Sequence, residues 1–384
     1  VIPGFTSTGS KRPEALFGDQ RPVPQRMLRA KGCRVWDSDG REHLDVTMAL
    51  GAVSLGYGHP AVQQAVEKAL ADGVVGPLSP VLELQVAERL CASIPGVEGV
   101  RFFKTGAEAV AAAVRIARVQ TGREMIVTCG YQGWHDMFSN SAGVPAIVQQ
   151  GRCDIPFNDV GALREAVPND GSVAAIVIEP VVDGPPSREW VDAVNETRAS
   201  SGAVLVIDEI KTGLRLGWEG ASGRYGFHRD LIVMGKALGN GFPIAVVGGG
   251  RSIMQAVTRT WISSTLATEF VSLAAADAVL QVYERENVAG HLAVVGRRLY
   301  EGLDRIASTY HTVTRTVKGI PEFCYLDCVD DATSVRLAGG CAAQGLIFKR
   351  DAYNFVSLAH TATVVDDILQ RVGDVVDSLA SRPA

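Results

Sequence analysis

Lys236 ends the apolar run at the start of LIVMGKALGNGFPIA, residues 231–245. Leu231 to Met234 reads as a strand buried on both faces, and an ammonium at its end is costly unless it is paired or used. Burial lowers a lysine's pKa and makes its amine a nucleophile. Gly235, Gly239 and Gly241 surround it and suit close approach of the backbone to a ligand. Asp208 and Glu209, in AVLVIDEIKTGLRLG, end another run with no polar residue from Ala203 to Ile207. A carboxylate there is either paired, as a helix cap or with Lys211, or it is used. Aimed at a heteroaromatic nitrogen, it keeps that nitrogen protonated, and the ring then accepts electrons. Glu179 ends AAIVIEP similarly and could support the site from behind.

Two further strand ends carry polar or aromatic groups. Thr105-Gly106-Ala107 follows FFK and opens a helix near Glu108. Free backbone N–H groups and a hydroxyl suit a phosphate there, although an ordinary capped turn looks the same. Tyr131 and Trp134 stand with Gly130 and Gly133 after EMIVTC. An aromatic in such a loop either packs it against the core or stacks on a flat ring.

These groups need a sheet to position them. From about residue 100, short apolar runs (VRFF, EMIVTC, AAIVIEP, AVLVIDE, LIVMG, AVVGGG) alternate with helix-like stretches (EAVAAAVRIARVQTG, EWVDAVNETRASSG). That alternation predicts an α/β fold, a mostly parallel sheet flanked by helices, whose functional residues gather where strands end. Residues 1–30 read as an irregular arm. CRVWDSDGREHLDVT reads as a hairpin turning at Asp39-Gly40. Helical spacing follows in AVQQAVEKALADG and SPVLELQVAERLCASI. The expected division is 1–50 as arm and part of a small domain, 51–285 as the large domain, and 286–384 as the C-terminal small domain. Both chain ends then build the smaller α+β domain.

Composition narrows the classes. With 384 residues, 47% apolar side chains and 41 glycines, the chain is a packed globular protein of more than one core. A net charge of -5 without Lys or Arg runs argues against a nucleic-acid surface. Seven scattered cysteines without a CxxC argue against a metal site, and Cys324 and Cys328 read as buried strand residues. No apolar stretch has membrane-span length and no signal peptide opens the sequence, so the cytoplasm is the expected location.

Taken together, the four strand ends imply a ligand with a phosphate, a flat ring with a basic nitrogen, and an aldehyde that a lysine can capture: pyridoxal 5'-phosphate. Over nearly its whole length the chain resembles a fold-type I, class III aminotransferase of the glutamate-1-semialdehyde aminomutase-like branch. VLVIDEIKTGLRLG, MGKALGNGFPIAVVGG, TGAEA, ISSTLATEFVSLAAA and VSLAHT carry that resemblance in the family's order. It implies that Lys236 forms the Schiff base and moves the proton, and that Asp208 holds the pyridine nitrogen. It places Tyr131 over one ring face, with Ile210 on the other, and Gly106 and Ala107 at the phosphate turn. It also implies a homodimer with composite sites, in which Thr265 reaches the phosphate of the neighbouring subunit's cofactor.

The chain departs from this family at several positions. Ala107 stands where a hydroxyl is usual, which moves a phosphate bond to Thr105 or loses it. Gln132 replaces the aromatic loop's His. The aminomutase holds the substrate carboxylate with a Ser and an Arg; in FTSTGSKRP, Lys11 stands at the Arg, with Ser10 and Arg12 beside it as further candidate substrate residues, and a point charge is not a bidentate fork. Leu50 replaces a tryptophan near the substrate, and ATEF replaces a Gly-Asn-Pro turn. These changes point away from the aminomutase's own substrate. They suggest transfer from an amine donor to a carbonyl acceptor, such as a sugar or a natural-product intermediate. An intramolecular aminomutase, a decarboxylase or a racemase uses the same cofactor chemistry. A nicotinamide oxidoreductase would need a GxGxxG between strand and helix, and none is present.

Overall fold

A computed structural model describes residues 1–381; the last three residues of the expected C-terminal segment, 382–384, lie outside the described residues. The chain divides into two units, Val1–Pro60 with Asn287–Ala384, and Ala61–Glu286.

The first unit begins with β1 (Met27–Lys31), β2 (Arg34–Asp37) and β3 (Glu42–Asp45). β2 and β3 form the expected hairpin, and Gly40 takes the positive φ of 79° that its turn requires. The first 30 residues are less irregular than expected. Pro13–Phe17 is a short helix that buries Phe17, with Pro13 at a position where a missing N–H costs nothing.

The second unit holds β4 (Gly99–Phe103), β5 (Met125–Cys129), β6 (Arg152–Asp154), β7 (Val173–Ile178), β8 (Val204–Asp208), β9 (Leu231–Met234) and β10 (Ala245–Gly249). They form one sheet in the order β4-β10-β9-β8-β7-β5-β6. β5 to β9 run parallel. β10 is antiparallel to both β9 and β4, so β4 points the same way as the parallel strands. Every residue of β7, β8, β9 and β10 is buried. That explains their unbroken apolar runs, because helices cover both faces. β6 was not foreseen from the sequence: a three-residue edge strand with two charged positions has no apolar pattern to announce it.

Period-two alternation sorts the strand residues between the two faces. Val204, Val206, Leu231 and Val233 pack with the helix Gly106–Thr121. Leu205, Ile207, Ile176 and Ile178 pack with Trp190 of the helix Arg188–Ser201. Asp208 therefore continues the face covered by Gly106–Thr121, and Glu209 the opposite one.

The chain then returns to the first unit with β11 (Thr314–Ile320), β12 (Phe323–Cys328), β13 (Leu346–Ile347) and β14 (Asn354–Phe355). β13 joins β3 in parallel and closes a four-stranded sheet, while β11, β12 and β14 form a second small sheet. Cys324 and Cys328 lie in β12, buried and free. Among the described residues no group of His, Cys, Asp and Glu could hold a metal, and no helix is long and apolar enough to cross a membrane.

Candidate functional site

Strand direction gathers the singled-out groups. β4, β5, β7, β8 and β9 all end on one edge of the sheet. Thr105 follows β4, Tyr131 follows β5, Glu179 follows β7, Asp208 ends β8, and Lys236 follows β9. Their separation in sequence is undone by the sheet, as expected for a doubly wound topology.

The helix Gly106–Thr121 begins with Thr105 as its cap. Thr105 Oγ1 accepts the Glu108 N–H at 3.2 Å, and the Glu108 carboxylate accepts the Thr105 N–H at 2.9 Å, a closed capping box. The Thr105 hydroxyl is therefore spent on the cap. The N–H groups of Gly106 and Ala107, first in the helix, have no intrahelical acceptor and point their dipole outward, as an anion site requires. A Cβ built on Gly133 would lie 2.6 Å from the Ala107 methyl, so this helix start is packed against the aromatic loop.

Asp208 is buried, and its Oδ1 accepts the Ile210 N–H at 3.0 Å. Oδ2 has no hydrogen-bond partner among the described residues. Burial and then the neighbouring Glu179 carboxylate push Asp208 up to about 7, against the opposing pull of the Ile210 N–H and the Lys236 charge. Glu209 is equally buried but fully bonded. Its carboxylate accepts the Ala221 and Ser222 N–H groups at 2.9 and 2.6 Å and the Thr212 hydroxyl at 2.5 Å. Of two adjacent carboxylates, one is consumed by the fold and the other keeps an oxygen for a ligand.

Lys236 sits at φ 44°, a left-handed value sparsely allowed for a long side chain and typical of strained functional positions. Lost hydration, then the Lys211 charge, push its ammonium down to about 8, with Glu179 and Asp208 opposing. Two of the surrounding glycines are also needed for packing. A Cβ on Gly235 would meet Ile210 Cδ1 at 2.8 Å, and one on Gly239 would meet Ile244 at 2.9 Å. Ile210 also touches the Gly106 position, at 2.9 Å from a built Cβ. It is thus wedged between the helix start and the Lys236 turn.

Tyr131 is 72% exposed and Trp134 74%. Gln132 turns inward, donating from Nε2 to the Cys129 carbonyl at 2.7 Å, so this side chain secures the loop. Glu179 braces the same loop. Its Oε2 accepts the Tyr131 N–H at 3.0 Å, and its Oε1 pairs with Lys211 Nζ at 2.6 Å. Sequence reasoning offered Lys211 as a partner for Asp208 or Glu209; the structure gives it to Glu179. A second pair was also missed: Lys104 Nζ bonds Glu269 at 2.7 Å, and Glu269 caps the helix Phe270–Arg285 by accepting the Val271 and Ser272 N–H groups. Within ATEF, Glu269 thus caps the helix and pairs with the residue beside the phosphate turn. No local spacing links positions 104 and 269, so only the fold shows it. Thr265 lies exposed in the loop preceding that helix.

The expected substrate residues belong to the first unit. Ser10 and Lys11 lie exposed in a single turn of 3-10 helix, Gly9–Lys11. The Arg12 guanidinium packs on Gly4, 2.7 Å from a built Cβ. Leu50 lies in a left-handed run, with φ 45°, 51° and 60° at Met48, Ala49 and Leu50. Buried Asp45 holds the entry to this run by accepting from the Thr47 N–H and hydroxyl, the Met48 N–H and the Tyr57 hydroxyl.

The family model for aminotransferase class-III matches residues 18–378. A glutamate-1-semialdehyde 2,1-aminomutase of Acetivibrio thermocellus is 31% identical over 407 residues, covering 97% of this chain and 94% of that protein. The chain belongs to the class III aminotransferase family. Among solved structures, the pyridoxal-phosphate form of the FumI protein of Sphingopyxis sp. MTA144 superposes with a TM-score of 0.91 at 23% identity, covering 99% of this chain and 94% of that one. A glutamate-1-semialdehyde aminomutase of Pseudomonas aeruginosa PAO1 gives 0.83 at 21% identity, over 93% and 88%. The fold is that of the fold-type I enzymes, as expected. A class III aminotransferase takes pyridoxal 5'-phosphate, and the residues fit it: a helix start with free N–H groups, a buried carboxylate with an unused oxygen, and a buried lysine of lowered pKa.

Proposed function

We propose that this class III enzyme is an aminotransferase that moves an amino group from an amine donor to a carbonyl acceptor. The observation that carries the chemistry is the placement of Lys236 and Asp208 at the ends of adjacent strands, with opposite shifts of pKa. Bound pyridoxal phosphate supplies an aldehyde that condenses with amines and a ring that draws off electrons from the neighbouring carbon. The Gly106 and Ala107 N–H groups would hold its phosphate, with Ile210 and Tyr131 against the two ring faces. Asp208 would keep a proton on the ring nitrogen through Oδ2. Lys236, held partly as free amine, would supply the nucleophile for that aldehyde and, once released, would accept and return a proton at its Nζ.

Transfer is favoured over an intramolecular reaction by the N-terminal segment. Lys11 is exposed and the Arg12 fork is turned onto Gly4, so neither offers a preformed bidentate clamp for a small carboxylate. The aminomutase reading is the second one, motivated by relatives such as that of Acetivibrio thermocellus. The acceptor class we propose is a sugar or natural-product intermediate. The test is spectroscopic. The loaded enzyme is mixed with a panel of amine donors, then with keto-sugars, keto acids and glutamate-1-semialdehyde. Bleaching by a donor and recovery on a separate acceptor support transfer. Turnover of glutamate-1-semialdehyde alone, with no second substrate, replaces this reading with the mutase.

A further inference from the structure

Lys211 has no place in the mechanism above, yet it lies almost buried at the centre of the site. Its ammonium is 2.6 Å from Glu179 Oε1, with 10% and 12% of the two side chains exposed. Glu179 in turn holds the Tyr131 N–H through Oε2. The contact is tight. Gly130 is at φ 89°, and a Cβ there would come 2.5 Å from Glu179 Cβ. On its other side the loop meets the helix start, where Gly133 abuts Ala107. The aromatic turn is thus gripped between Glu179 and Ala107, and Lys211 fixes the first of these jaws.

We propose that Lys211 is a positioning residue, whose ion pair with Glu179 sets the Tyr131 turn and fixes the arrangement of charges around the Lys236 amine. The inference rests on the reading of Lys236 given above. The charges facing Lys236 are Lys211, Glu179, Asp208 and Arg215, and those facing Asp208 are Glu179, Lys236 and Glu209. Removing Lys211 takes a positive charge from Lys236 and leaves Glu179 unpaired beside it. Both changes stabilise a cation at Lys236. Removing the Glu179 charge acts in the opposite sense. A merely structural pair would give both variants the same sign, through loosening alone.

The experiment compares wild type, Lys211→Met, Lys211→Arg, Glu179→Gln and Lys236→Ala. It reads the pH midpoint of the bound cofactor's absorbance and the hydrogen-exchange rate of the Tyr131 amide in the cofactor-free protein. Lys211→Met should move the midpoint up by about 0.5–1.5 pH units and speed exchange at Tyr131, and Lys211→Arg should restore both. Glu179→Gln should move the midpoint down, and it decides the charge effect alone if Lys211→Met does not fold. Unchanged midpoint and exchange in Lys211→Met, or shifts of one sign in both variants, overturn the inference. If Lys236→Ala keeps the wild-type absorbance, the reading of Lys236 itself fails, a separate outcome.

Discussion

Asp208 and Lys236 are costly to keep in the cofactor-free protein, and the signs of their pKa shifts say when. Asp208 sits at about 7 in the folded chain against an ordinary 3.8. Between about pH 4 and 7 folding therefore takes up a proton, and stability falls as pH rises through that window. Asp208→Asn removes the burden. The cofactor-free variant should gain about 1–3 kcal/mol over wild type at pH 8 and much less at pH 5, while losing cofactor-dependent turnover. Denaturant melts at the two pH values check this; a variant less stable at both would show that Asp208 is bonded in the fold like its neighbour. Lys236 is shifted the other way, from 10.5 to about 8. Its unfolded form keeps the proton longer, so its contribution improves as pH rises from 8 towards 10.5. Its free amine should make cofactor uptake by the cofactor-free protein accelerate with pH and level off above about 8. Stopped-flow absorbance across pH 6–10 should show that rise, and Lys236→Ala should lack it and lose turnover by about 10²–10⁴-fold.

At the scale of elements, the turn after β8 is held by Glu209, whose two oxygens tie Thr212, Ala221 and Ser222 together. Glu209→Ala should cost about 2–4 kcal/mol by stranding buried donors, yet leave the cofactor's absorbance maximum in place in the protein that remains folded. Thermal melts with visible spectra separate it from Asp208→Asn, which should change the spectrum and not weaken the fold. Only the family resemblance, and no local pattern, separates these adjacent acids in the sequence. What the sequence does reveal follows from short-range physics: fully apolar strands announce a covered sheet, and a strand-end Lys or Asp is conspicuous against them. It is silent where partners meet only in three dimensions. Glu179 with Lys211, and Lys104 with Glu269, join different loops, so no spacing signals them. The packing of Gly235 on Ile210 and of Gly239 on Ile244 is unannounced for the same reason. β6 and the Pro13–Phe17 helix are too short to carry a period.

For the molecule as a whole, the proposal of a homodimer draws on what the Ala61–Glu286 unit leaves uncovered. Leu78 is 81% exposed, Val81 72%, Leu84 60% and Trp261 82%. The Val74 carbonyl accepts the Phe270 N–H at 2.8 Å, so the 70–84 stretch adjoins the loop that carries Thr265. Apolar side chains so exposed around a functional loop are unusual for a monomer and suit an interface. If Thr265 completes the partner's phosphate site, neither Lys236→Ala nor Thr265→Val dimers contain an intact site. A hybrid of the two does contain one, built from the Lys236 of one subunit and the Thr265 of the other. Unfolding and refolding the two variants together in equal amounts should therefore restore about a quarter of wild-type sites, since about half the dimers are hybrids with one good site each. Mixing without subunit exchange should restore nothing, and sedimentation should give a dimer throughout. A monomer in sedimentation, or refolded mixtures no more active than the sum of their parts, would place the whole site within one chain and leave Thr265 outside it.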